Sequence, residues 1–147
     1  MKFEEIQKRA LSAWDAWQRS SKPRILVGTA TCGRAAGAIA VMEAIYEELK
    51  QRSIEAAVTE VGCIGLCYGE PMVDIIKPGN PRITYCNMTP EIVPQLIEDY
   101  LIKDNPHPEL ALGYIGDGKV DGIPVLFELP VLKPQVRIVL RNCGFID

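Results

Sequence analysis

The sequence predicts an α/β fold with the element order β-α-β-β-β-α, preceded by an amphipathic helix and followed by an extended arm. Three observations carry this expectation. Short runs rich in β-branched and apolar residues alternate with a segment of helical period, a Lys-Pro-Gly-Asn-Pro turn separates two such runs, and a Thr-Pro helix start follows the last of them.

Phe3, Ile6, Ala10, Trp14 and Trp17 recur at helical spacing and form one apolar face. Such a face calls for cover, from its own domain or from a partner subunit. Ser20, Ser21, Lys22 and Pro23 end the pattern. Arg24 to Ala30 reads as the first strand, bounded by Pro23 and a Gly/Thr loop. In residues 38–49, Ala38, Val41, Met42, Ile45, Tyr46 and Leu49 share a helical face from which Glu43, Glu47 and Glu48 are excluded. Glu55 to Val61 is the second strand, completing a parallel β-α-β unit with a right-handed crossover. Met72 to Ile76 and Arg82 to Cys86 flank the Lys77–Pro81 turn as a hairpin. Pro71, after Glu70, is a candidate cis proline at the start of the third strand. Thr89 suits an N-cap and Pro90 the first helical position, followed by apolar residues at Ile92, Val93, Leu96, Ile97, Tyr100 and Leu101. This order matches the thioredoxin-like layer plan. It divides the chain into an N-terminal amphipathic helix over 1–22, a thioredoxin-like domain over 23–103 and a Pro/Gly-rich linker or arm over 104–147.

A length of 147 residues bounds the chain to one domain with extensions. Sixteen Lys+Arg against nineteen Asp+Glu leave no basic excess, which argues against nucleic acid as a partner. No run approaches the roughly 18–20 apolar residues of a membrane span, so no membrane insertion is expected. The charged N-terminus lacks the apolar core of a secretory signal, and the expected location is cytoplasmic. Self-association into a homo-oligomer is compatible with this composition.

The five cysteines, in a reducing compartment, read as metal ligands, redox groups or core residues rather than disulfides. Cys32 follows the first strand, Cys63 and Cys67 follow the second, and Cys86 ends the fourth. The predicted topology places all four at one sheet edge, where open α/β folds hold their sites. Four thiolates suit a [2Fe–2S] cluster. Zinc, a dithiol redox pair and buried inert thiols are the alternatives at this point, the last applying most to Cys86. The loop GTATCGRAAGA matches neither common phosphate-binding glycine pattern. Arg34 reads as a solvated or docking side chain, and His107, between two prolines, as an exposed loop residue.

The runs ILVGTATCGRAAGA, TEVGCIGLCYGEPMVDI, ITYCNMTPE and LKPQVRIVLRNCGFID together resemble the N-terminal part of the NADH-binding flavoprotein subunit of complex I-like enzymes, NAD-reducing hydrogenases and electron-bifurcating hydrogenases. In that family a thioredoxin-like [2Fe–2S] ferredoxin domain precedes a flavin domain. The resemblance covers roughly residues 23 to 147 and implies a domain that relays single electrons between a flavin site and further clusters. Its implied partners are the other subunits of an NADH-dependent redox complex, including a flavin/NADH-binding portion toward which the arm leads. No FMN or NAD site is expected within the chain, and it is not expected to oxidise NADH alone. The family's first loop carries C-x4-C; with its second cysteine at Cys32, the first falls on Val27, which cannot bind iron. The resemblance therefore implies Cys32, Cys63 and Cys67 as ligands, with Cys86, Thr29 or Thr31 completing the set. The alternative it leaves is a cluster-free docking module of the same complex.

Overall fold

The computed structural model describes residues 2–145. Helix α1 (Phe3–Gln18) leads into strand β1 (Arg24–Gly28), two helices α2 (Thr31–Ala36) and α3 (Ala38–Gln51), and strand β2 (Ala57–Val61). A hairpin of β3 (Val73–Ile76) and β4 (Arg82–Tyr85) follows. Next come helix α4 (Val93–Leu96), continued by a π-helical turn over Ile97–Ile102, and strand β5 (Ala111–Ile115). One sheet holds the strands in the order β2-β1-β3-β4-β5. The β1–β2 pair is parallel and the others antiparallel. The α/β class and the thioredoxin-like layer plan are therefore as expected.

The period of two along each strand separates the sheet faces. Ile25 and Val27 of β1, Val73 and Ile75 of β3, and Ile83 and Tyr85 of β4 form the main core with Val41, Ile45 and Leu49 of α3 and Val93 and Leu96 of α4. On the opposite face Asp74 of β3 and Arg82 and Thr84 of β4 are polar. Arg82 pairs with Asp74 as a buried ion pair, and Thr84 donates to the same carboxylate. Arg82 also donates to the Gly144 carbonyl at 2.7 Å and lies over the Phe145 ring, so these two residues cover the charges.

Four local expectations differ from the structure. The segment read as an arm returns to the sheet. Ala111–Ile115 pairs with β4, and Leu112, Ile115, Leu126, Phe127, Leu129 and Leu132 form a second apolar cluster with Ile64, Leu66 and Met72. Edge strand β4 had an open ladder, and pairing satisfies its backbone groups. The last helix begins at Val93 rather than Pro90, the preceding residues forming a turn in which the Ile92 N–H donates to the Thr89 carbonyl. His107 is buried, not exposed, between Asp99 and Glu109. Helix α1 buries no residue; it touches the domain through Trp17, whose ring lies 3.9 Å from the Arg24 guanidinium and whose carbonyl accepts from Arg24 at 2.9 Å. Among the described residues no helix is long and apolar enough to cross a membrane.

Candidate metal centre

The parallel β-α-β unit brings the ends of β1 and β2 to one edge of the sheet. The Thr29 N–H donates to the Val61 carbonyl at 3.1 Å and locks the two exits together. Cys32 stands in the first turn of α2, Cys63 just beyond β2, and Cys67 at the head of a 3-10 turn over Cys67–Gly69. Their three sulfurs lie within 4.8 Å of one another. The Cys63 and Cys67 sulfurs are 3.9 Å apart. Between them Gly65 adopts φ +90°, a left-handed conformation that suits glycine, and its N–H donates to Cys63 Sγ at 3.3 Å.

Two supports hold this loop. Ile64 and Leu66 are buried against the second apolar cluster supplied by the segment after β5. Arg137 donates to the Ile64 carbonyl at 2.9 Å and to the Leu140 carbonyl at 3.1 Å. On the other side α2 lies close to β1, because a Cβ at Gly33 would sit 2.0 Å from the Gly28 carbonyl oxygen. Arg34 is anchored there, donating to the Thr29 carbonyl at 2.9 Å and to Glu60 at 2.8 Å.

The remaining sequence-derived candidates fall differently. Cys86 follows β4 at the expected edge, yet its thiol is not among the three that converge; it borders the Ile64, Leu66 and Met72 cluster and accepts from Asn87 at 3.6 Å. Burial pushes its thiol pKa up. Thr31 is exposed and Thr29 buried. Val27, the family's remaining cysteine position, is fully buried in the main core. Cys143 is a free thiol outside the group.

Sequence reasoning passed over Glu70. The Glu70–Pro71 bond is cis, and the Glu70 carboxylate is turned inward, only 6% of the residue being exposed. Its Oε2 accepts from the Met72 N–H at 2.9 Å, and the Cys32 thiol lies 3.9 Å from its Oε1. An acid three residues after Cys67, inside the ligand loop, was the available signal. Burial pushes the Cys63 thiol up to about 12; the Gly65 N–H opposes this, while Cys32 and the Glu70 carboxylate reinforce it. A bound metal cation supplies the charge that favours the thiolate.

Three converging sulfurs fit the soft-donor demand of an iron–sulfur or zinc centre, with one donor still to be supplied.

No protein-family model matches the chain. The chain is 30% identical over 106 residues to the NADP-reducing hydrogenase subunit HndB of Solidesulfovibrio fructosivorans, a match covering 71% of this chain and 84% of that subunit. A thioredoxin-like [2Fe–2S] ferredoxin from Aquifex aeolicus superposes with a TM-score of 0.55 at 18% identity, covering 67% of this chain and 96% of the ferredoxin. A second structure of the ferredoxin, its wild-type form, gives a TM-score of 0.53 at 20% identity, with 64% and 99% covered. These structural likenesses establish the thioredoxin-like ferredoxin fold.

Proposed function

The chain belongs to the family of the NADP-reducing hydrogenase subunit HndB, and from that premise we propose that it holds a [2Fe–2S] cluster on Cys32, Cys63 and Cys67 and serves electron transfer within a larger NAD(P)H-dependent redox complex. The observation that carries this reading is the convergence of three thiols, from two loops, to within 4.8 Å. When bound, such a cluster supplies one-electron chemistry at a potential set by its ligands, their hydrogen bonds and their exposure.

The chain's own residues divide the remaining work. The Gly65 N–H stabilises negative charge on Cys63 Sγ. Ile64 and Leu66 shut water from the inner side of the loop. Cys67 is exposed, and the neighbouring Tyr68 is 72% exposed, so this rim offers the electron a short path to a docked partner. The partner in this reading is a flavin/NADH-binding portion of the complex, and the uncovered face of α1 is a second surface for assembly.

The close grouping of the sulfurs favours one second reading, a single tetrahedral metal ion such as zinc. Metal–sulfur bonds of about 2.3 Å put sulfurs roughly 3.8 Å apart around one ion, and Cys63 and Cys67 are 3.9 Å apart. Metal and acid-labile sulfide analysis of anaerobically purified protein, with a visible spectrum, separates the two. The expected result is about two irons and two sulfides per chain. Zinc without sulfide establishes the second reading, and a colourless, metal-free protein after anaerobic reconstitution overturns both.

A further inference from the structure

A buried carboxylate without a counter-charge is costly, and Glu70 is in that position. Among the described residues no Lys, Arg or His forms an ion pair with it. One backbone N–H, from Met72, satisfies Oε2. Oε1 faces the Cys32 thiol at 3.9 Å. The space it occupies exists because two neighbours are glycine. A Cβ at Gly28 would lie 2.8 Å from Oε2, and one at Gly33 would lie 3.3 Å from the same oxygen. The first loop is thus shaped around an acid aimed at a three-thiol group that lacks a donor.

The donor atoms form two pairs of equal span. Cys63 Sγ and Cys67 Sγ are 3.9 Å apart, and Cys32 Sγ and Glu70 Oε1 are also 3.9 Å apart. The Cys63–Cys67 span matches the edge of a tetrahedron around one metal, roughly 3.8 Å for two sulfur donors, and the Cys32–Glu70 span lies a few tenths of an ångström beyond the roughly 3.6 Å edge of a sulfur and a shorter-bonded oxygen. We propose that Glu70 is the fourth ligand of the centre, completing the donor set that Cys32, Cys63 and Cys67 would offer a cluster. This assignment rests on the cluster reading given above. The charges balance: three thiols lose their protons and the carboxylate binds as an anion, giving the same total ligand charge as four thiolates. Cys86 then remains a packing residue.

Four proteins test the assignment: the wild type and the Glu70→Gln, Glu70→Cys and Cys86→Ser variants, each purified anaerobically. Iron and sulfide content, the visible spectrum and the electron paramagnetic resonance of the reduced state are read on each, with circular dichroism as the check on folding. Glu70→Gln keeps the size and the acceptor for the Met72 N–H, so a merely structural role would be preserved. It is expected to lose iron to a chelator at least about tenfold more readily, the loss of affinity that removing even a ligand's hydrogen-bonding partner can cause. Glu70→Cys is expected to retain the cluster with changed resonance and visible bands, as oxygen is exchanged for sulfur. Cys86→Ser is expected to match the wild type. Wild-type spectra from both Glu70 variants, or loss of the cluster in Cys86→Ser with Glu70→Gln unchanged, overturn the assignment and leave the cluster reading standing. A wild-type protein without iron or sulfide defeats the cluster reading itself.

Discussion

His107 stands between two carboxylates, Nδ1 toward Glu109 and Nε2 2.6 Å from Asp99, with its own backbone at φ +48°. Glu109 first and Asp99 second raise its pKa, and in return it lowers theirs. The contribution of His107 to stability is complete below its unfolded pKa of about 6.5 and disappears as pH rises through the raised folded value. Asp99 and Glu109 act in the opposite sense, their contribution being complete above about pH 4.3 and lost on acidification. The network is therefore strongest between these limits. Urea midpoints of the wild type are expected to fall as pH rises above about 6.5, and those of His107→Gln to stay level over the same interval. A parallel decline in the variant would place the pH dependence elsewhere.

Helices α1 and α3 are both amphipathic, and packing separates them. The apolar stripe of α3 lies on the sheet, with Ile45 only 2% exposed, whereas α1 leaves Ile6 49% exposed. Replacing Ile45 by Ala removes buried methyl groups and opens a cavity, a cost of about 2–5 kcal/mol. The same change at Ile6 is expected to alter stability by no more than about 0.5 kcal/mol. Urea unfolding of the two variants measures the contrast, and a large loss at Ile6 would show that α1 is covered in solution.

The chain after β5 turns back across the molecule to support the loop that bears Cys63 and Cys67. Arg137 is the clearest joint, bonded to the carbonyls of Ile64 and Leu140 and lying 5.1 Å from the Phe127 ring centroid. Its removal leaves the main core of α3, α4 and the sheet untouched. Arg137→Ala is expected to speed metal loss to a chelator while changing global stability by about 1 kcal/mol or less. Equal chelation rates would show that the loop holds its shape without the tail.

Elements whose identity depends on their own neighbours in sequence were legible: β1, α3, the β3–β4 hairpin and the edge shared by Cys32, Cys63, Cys67 and Cys86. Periodicity and turn chemistry state which face of an element is apolar and where it stops. They do not state what lies against that face. Strand β5 carries Ala and Gly in a Pro/Gly-rich stretch and is specified by the open edge of β4. The short helix α2 was hidden in a glycine-rich loop, and among the described residues α1 meets the domain through Trp17 and Arg24 while burying no residue of its own. At the site, a shared edge placed four thiols near one another, yet a few ångströms of loop geometry brought three together and left Cys86 outside. Glu70 meets Cys32 across 38 positions of sequence. That contact arises from the packing of two loops against glycines at 28 and 33, and close approach between distant segments is a property of the folded chain alone.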